Sequence, residues 1–318
     1  MMEIRDYKEG DETHILNLFK DTFGKPLLPE YWKWRFIDNP NKQVMIKLMW
    51  DNNRMVGHYA VSPLKMNVEG ENILSALSMT TMTHPEYAGK GIFTKLAEAL
   101  YTDKYQNANL KAVWGFPNNN SHYAFINKLN WVDVSPITTR SLAIEKIKNK
   151  SSLNSSVVSS FSNQHIKTHE ELTANHKIKT DKSIDYLTWR YLNNPVNEYT
   201  IFELRSATHH YYAVAKVFAS FSEKGKYEID VLELQFPEDE GLISELMIAI
   251  KEYYSTYALL QINIWLSAND VKNNIIEKIG FVNTSQTTYF GIRILDSQYA
   301  VLGKSKEWHN SMGDSDVY

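Results

Sequence analysis

Three hundred and eighteen residues, 43% of them apolar, predict about two domains with enough hydrophobic material for two ordinary cores and exclude large-scale disorder. Thirty-four basic against 37 acidic side chains leave a net charge of −3, so no net positive field exists to hold nucleic acid or an anionic membrane. The absence of cysteine excludes disulfides, thiolate zinc sites, iron–sulfur clusters and a Cys nucleophile.

The opening MMEIRDYKEGDE is charged where a signal peptide needs an apolar stretch. The longest apolar run, Leu246 to Leu266, is interrupted by Lys251 and Glu252 and reads as a helix followed by a strand. A cytoplasmic protein without membrane segments is expected, with a small-molecule substrate, no nucleic-acid partner and an oligomeric state left open.

Asp11 to Phe23 carries Ile15, Leu16, Leu18, Phe19 and Phe23 at helical spacing. Glu30-Tyr31-x-x-Trp34-Arg35-Phe36-x-x-Asn39-Pro40 follows, and it returns as Asp185-Tyr186-x-x-Trp189-Arg190-Tyr191-x-x-Asn194-Pro195, 155 residues later. That spacing implies two homologous units, since a solenoid would repeat every 20 to 50 residues or so. Each Asn-Pro should close a short helix, and the Trp-Arg pairs read as packing within the fold. Val44 to Trp50, Met55 to Met66 and Ile73 to Thr83 form a meander of strands through turns at 51–53 and 68–71. The helical pattern resumes over Ile92 to Tyr105. Lys111 to Phe116 is a strand, Asn118 to Lys128 a helix, and another strand starts at Trp131. Lys148 to Lys182, rich in Ser, Asn and Lys, suits a linker. The domain division is therefore set at 1–150 and 151–318.

Between the third strand and the next helix lies His84-Pro85-Glu86-Tyr87-Ala88-Gly89-Lys90-Gly91-Ile92-Phe93-Thr94. Glycines let successive N–H groups converge, and a helix start adds unpaired N–H groups and the positive end of its dipole. This is a candidate pyrophosphate site. It is neither a Walker A loop nor a dinucleotide Gly-x-Gly-x-x-Gly, and a lone Gly-Lys-Gly is often an ordinary turn. The second half offers Phe236-Pro237-Glu238-Asp239-Glu240-Gly241 after the strand Ile229 to Gln235. Its three carboxylates would repel a pyrophosphate and satisfy the helix start themselves.

Pro-Glu-Tyr-x-Gly-Lys-Gly-Ile between a long strand and an amphipathic helix resembles motif A of the GNAT superfamily of N-acetyltransferases. Tyr123 to Trp131 (YAFINKLNW) and Ile275 to Phe281 (IIEKIGF) are similar to the family's helix-to-strand ending. The resemblance implies an α/β fold of two tandem GNAT-like domains, each a mixed, mostly antiparallel sheet flanked by helices. The first would bind acetyl-CoA and the second, degenerate, would not. The hairpin Pro63 to Gly70 looks like the "enhanced intracellular survival" type without its third domain. On the family's pattern Met82 and Thr83 would contact the pantetheine, and Ala88, Gly89, Lys90, Gly91, Ile92, Phe93 and Thr94 would hold the pyrophosphate. Ala88 replaces the usual Arg or Gln, and Phe93 replaces a small residue.

Acetyl transfer to an amine needs a neutral nucleophile, a polarised thioester and a proton for the thiolate. The tyrosine acid that the family often uses falls here at Ile126. Tyr123, about one helical turn earlier, is the substitute. Asn118 and Ser121 could bind pantetheine or cap the helix. Glu30, His58 and His84 are weak candidates for the base. Tyr318 is another, because a chain-terminal carboxylate serves in the survival-protein type, although an exposed acidic tail is the plainer reading. No metal is expected: His209 and His210 would point opposite ways in a strand and cannot chelate together. The expected function is acetyl transfer from acetyl-CoA to a primary amine of a small polar acceptor, such as an amino sugar. A catalytically inactive acyl-CoA sensor or scaffold is the alternative, and an aminoacyl-tRNA-dependent peptide-joining enzyme is disfavoured by charge.

Overall fold

The computed structural model describes residues 2–148, 155–205, 209–267 and 269–318. In chain order the elements are β1 (Met2–Asp6), α1 (Glu12–Phe23), α2 (Pro29–Phe36), β2 (Met45–Asp51), β3 (Arg54–Val68), β4 (Glu71–Thr83), α3 (Ile92–Ala108), β5 (Ala112–Gly115), α4 (Asn119–Lys128) and β6 (Val132–Ala143). The second half adds β7 (Ser155–Val158), α5 (Asn163–Leu172), β8 (Ile178–Thr180), α6 (Ile184–Leu187), β9 (Thr200–Arg205), β10 (His210–Ala219), β11 (Tyr227–Gln235), α7 (Glu240–Tyr253), β12 (Leu259–Ile264), α8 (Asn273–Ile279) and β13 (Val282–Ile294). Among the described residues, no helix is long and apolar enough to cross a membrane.

The chain divides into two compact units, residues 1–135 with 289–304 and residues 136–288 with 305–318. Residue 150, where the sequence suggested a boundary, lies outside the described residues, as do positions 151–154 of the Ser-rich stretch.

Unit 1 is a mostly antiparallel sheet in the order β1-β2-β3-β4-β5-β13, in which β4 and β5 run parallel. Its last strand comes from far along the chain, where Gly291 to Ile294 pair with Gly115 to Ala112. Ile92, Leu96 and Leu100 stand on one face of α3 and pack against Met49, Val56, Tyr59 and Val61 of the sheet. Each such side chain contributes about 1.5–3 kcal/mol on burial. Gly57 in β3 permits this approach, because a Cβ there would lie 2.4 Å from Ile92 Cγ2. The sequence offered no sign of β1, whose MEIRD is mostly charged and only partly buried.

Unit 2 repeats the plan with β6-β12-β11-β10-β9-β7, the parallel pair being β11 and β12. Ile243, Leu246, Met247 and Ile250 of α7 cover Ile229, Val231, Ile262 and Ile264. The repeated motif is helical in both copies, as α2 and as α6 continued by a π-type turn at Thr188–Leu192. Both arginines are buried and bonded inside their own unit: Arg35 Nε donates to Met79 Sδ at 3.0 Å, and Arg190 Nη1 donates to the Tyr199 hydroxyl at 2.9 Å. Glu30 and Asp185, which precede these pairs, are exposed.

Candidate acyl-CoA site

β4 pairs with β5 only through Ser75, Ala76 and Leu77. Beyond Leu77 it continues to Thr83 with β3 on one edge, while its other edge has no strand partner among the described residues. A strand edge of this kind presents N–H and C=O groups to an extended ligand. Met82 and Thr83 lie on this free stretch, Met82 with its side chain buried.

The same stretch is bulged. Register jumps from His58 opposite Met82 to Ala60 opposite Met79, and Thr80 takes φ 50°, unusual for a β-branched residue. The His58 ring explains how the bulge is held: its Nδ1 donates to the Thr80 carbonyl oxygen at 2.8 Å. Burial drives the His58 pKa down to about 4, so the ring is neutral, and its Nε2 has no hydrogen-bond partner. A strand histidine was legible in the sequence; the bulge that it serves was not.

After β4 the chain makes a short 3-10 turn at Pro85–Tyr87, where His84 Nδ1 accepts from the Glu86 N–H at 3.2 Å. Gly89 and Gly91 follow with φ 77° and 70°, and a Cβ at either would meet nothing within 4 Å. Both glycines are therefore there for backbone geometry. Ile92 begins α3 with no side-chain cap and no acidic residue in the first turn. An exposed, cation-bearing loop thus runs into a helix start whose N–H groups await an acceptor. Lys90 Nζ lies 4.2 Å over the Tyr87 ring, and Arg54 binds Glu86 at 2.7 Å, holding that carboxyl below its ordinary range. Phe93 turns into the core, 5.9 Å from Tyr59 and 5.0 Å from Phe125 between ring centres, and Ile92 is buried.

Across the site, Asn118 caps α4 by accepting from the N–H groups of Asn120 and Ser121, both at 3.0 Å. Ser121 Oγ lies 3.2 Å from the same Asn118 oxygen. Tyr123 is 64% exposed, and Ile126, one turn on, packs against the core. His122 stacks on Tyr289 at 3.9 Å and reaches Asp133 at 3.0 Å. Tyr289 comes from β13, and nothing in the local pattern of the first half could have indicated it.

The corresponding places in unit 2 are filled. Asp239 caps α7 by accepting from the Leu242 N–H at 2.9 Å, the self-satisfied helix start expected from its carboxylates. The C-terminal residues do not form an exposed acidic tail. Trp308 to Ser315 are buried, and Lys182 Nζ joins Asp314 at 2.8 Å and Glu233 at 2.7 Å. Tyr318 lies in this unit, its main-chain oxygen accepting from Arg190 Nη2 at 2.7 Å and from the Tyr199 hydroxyl at 3.0 Å.

Residues 3–132 match the family described as acetyltransferase (GNAT) domain. The matched residues lie within unit 1. The fold of the chain is similar to that of a GCN5-related N-acetyltransferase from Anabaena variabilis, at 12% identity and TM-score 0.69 over 96% of this chain and 75% of that one. An Enterococcus faecalis protein described as a probable N-acyltransferase gives 11% identity and TM-score 0.69, covering 93% of this chain and 73% of that one. A GCN5-related N-acetyltransferase from Kribbella flavida gives 13% identity and TM-score 0.68, covering 96% and 74%. No curated protein matches the chain at a significant level of sequence similarity. The free edge of β4, the bulge and the glycine loop all fall within the matched residues.

Proposed function

We propose that the chain is an N-acyltransferase that takes an acetyl group from acetyl-CoA and delivers it to a primary amine of a small polar acceptor, such as an amino sugar. The observation that carries this reading is the stretch of β4 from Ser78 to Thr83, whose edge away from β3 has no strand partner among the described residues, followed by the glycine loop and the uncapped start of α3. Met82 and Thr83 would pair with the pantetheine amides through their backbone. The Ala88 N–H already donates to the Pro85 carbonyl at 3.2 Å, so the N–H groups from Gly89 to Thr94 would take the pyrophosphate, with Lys90 as the nearby cation, and Asn118 and Ser121 would flank the pantetheine arm.

In the reaction the neutral amine attacks the thioester carbonyl carbon, the C–S bond breaks, and the departing thiolate takes a proton while the amine loses one. The exposed Tyr123 hydroxyl is the proposed acid. Tyr318 is proposed as proton acceptor on the family resemblance alone, since its main-chain oxygen is engaged by Arg190 and Tyr199, which oppose its protonation. In this reading unit 2 is a degenerate GNAT-like domain, its equivalent helix start being capped by Asp239, and the protein is a tandem of the survival-protein kind that works in the cytoplasm.

Calorimetric titration of acetyl-CoA tests the assignment. Wild-type protein should bind one equivalent, and Gly91→Glu, which places a carboxylate at the cradle, should abolish the heat. Absence of binding by wild type overturns the reading. Binding without release of CoA thiol to any of a panel of amines would favour the inactive sensor, which the apolar Ile126 at the family's acid position also suits.

A further inference from the structure

We propose that His165, Glu203 and His210 form a site for a divalent transition-metal ion, zinc above all, within unit 2. The three residues come from α5, β9 and β10, and their side chains are 1%, 1% and 5% exposed. His165 Nε2 lies 3.0 Å and His210 Nε2 3.1 Å from the same oxygen, Glu203 Oε1, and one potential ligand atom from each residue lies within 4.8 Å of the others. Two imidazoles and a carboxylate are a common donor set for zinc, and bonds of 2.0–2.2 Å at tetrahedral angles place ligand atoms about 3.3–3.6 Å apart. Small side-chain rotations convert the observed spacing to that one.

A second observation points the same way. His165 Nε2 is buried and makes no hydrogen bond, although Glu203 Oε1 is close, so the oxygen sits beside the nitrogen and out of line with it. Each far nitrogen also faces a hydroxyl oxygen, which can accept the N–H that a metal-bound imidazole carries there. His165 Nδ1 lies 3.0 Å from Ser162 Oγ, and His210 Nδ1 lies 2.9 Å from Thr168 Oγ1. In the metal-free protein the Ser162 N–H donates to His165 Nδ1 at 3.0 Å, so an ion at Nε2 requires the other tautomer, in which that bond is given up and the Nδ1 proton goes to the hydroxyl.

The cation that now faces Glu203 is Arg205, with Nε 2.7 Å from Oε2 and Nη2 2.9 Å from Oε1. Its side chain is 61% exposed and can withdraw into solvent when an ion takes Oε1. The ion would clip α5 onto the β9–β10 hairpin, a structural task suited to a buried site. No sequence motif announces it, because the ligands are 38 and 7 residues apart on three elements.

The test uses full-length protein freed of metal by a chelator, then titrated with Zn2+ by calorimetry and with Co2+ by visible absorption. One equivalent of Zn2+ should bind with a dissociation constant below about 1 μM and raise the melting temperature. Co2+ should give the intense visible bands of a four-coordinate site. His165→Gln and His210→Gln should each weaken binding by at least about a hundredfold, on the order expected for loss of a ligand. Because those variants alter a buried cluster, Arg205→Ala supplies an independent arm at an exposed residue: removing the competing cation should tighten Zn2+ binding several-fold. Failure of wild type to bind Zn2+ saturably, binding undiminished in both histidine variants, or no tightening in Arg205→Ala each overturns the proposal.

Discussion

The carbonyl oxygen of Thr80 accepts a 2.8 Å hydrogen bond from His58 Nδ1, so a fully buried imidazole secures the left-handed residue of the β4 bulge. The pair turns a costly backbone conformation into a fixed feature of the strand edge proposed to receive acyl-CoA.

His58 has an ordinary pKa of 6.5 when unfolded and about 4 when folded, because burial penalises its charged form. The unfolded chain therefore binds more protons across that window, and stability is fully present above pH 6.5 and lost as pH falls towards 4. The loss from this residue amounts to about 3 kcal/mol at most. Urea midpoints at pH 7 and pH 5 should diverge in wild type and diverge less in His58→Asn. His165, depressed to about 4, and His169, depressed to about 3, both mainly by burial, leave a residual slope of the same sign. An identical pH response in the two proteins would contradict the assignment.

Gly57→Ala should push α3 away from β3, since the new methyl lies 2.4 Å from Ile92 Cγ2 and 2.9 Å from Leu96 Cδ1. Overpacking of this kind costs about 1–3 kcal/mol. Ile92 is the first residue after the glycine loop, so acetyl-CoA affinity should fall along with stability. Titration calorimetry and thermal melting together check this, and a variant with lowered stability but unchanged affinity would separate the loop from the helix behind it.

Tyr101 links two polar groups in the core of unit 1, its hydroxyl meeting Tyr59 at 2.7 Å and accepting from Trp131 Nε1 at 3.1 Å. Tyr101→Phe leaves the Trp131 N–H buried and unpaired, at a cost of about 1–3 kcal/mol. Tyr59 keeps Ser78 as partner at 2.9 Å, so Tyr59→Phe in the Tyr101→Phe background should add about 0.5–1.5 kcal/mol for that remaining bond. A double-mutant cycle in urea reads the coupling directly.

Tyr123→Phe removes a hydroxyl from an exposed position and should change stability by less than about 0.5 kcal/mol. If the phenol protonates the thiolate, kcat falls about a hundredfold or more while acetyl-CoA binding is unchanged. Undiminished turnover would remove Tyr123 from the reaction.

Lys182→Met takes the ammonium from between Glu233 and Asp314, all three fully or nearly fully buried. Two carboxylates then share a dry site without their cation, a change worth about 3–5 kcal/mol against folding. The melting temperature should drop steeply at neutral pH and partly recover on acidification, when one carboxylate takes up a proton. A pH-independent loss would indicate that packing around the lysine stem, and not its charge, was removed.

The strands of the first half, the glycine loop and the helix after it were readable because each depends on nearby residues: period-two patterns, turn chemistry and a helical apolar stripe. The capping acid Asp239 was readable for the same reason. What escaped was non-local. β1 owes its place to pairing with β2, since its own sequence is charged. The Thr80 bulge depends on a ring 22 residues away, and Tyr289 reaches His122 from the far end of the chain. The acidic composition of the last residues suggested exposure, whereas Lys182 and Arg190 draw Asp314 and the main chain around it into the interior.

The pairing of β13 with β5 bears on biosynthesis. Gly115 has left the ribosome long before Gly291, and at 5–20 residues per second the interval is roughly 10–40 s. During that time the nascent first unit has a sheet edge at β5 with no neighbour, next to apolar Trp114 and Val113. Such an edge invites pairing with other chains. Folding yield in a cell should therefore depend on elongation speed and on holdase chaperones far more than the stability of the finished protein suggests.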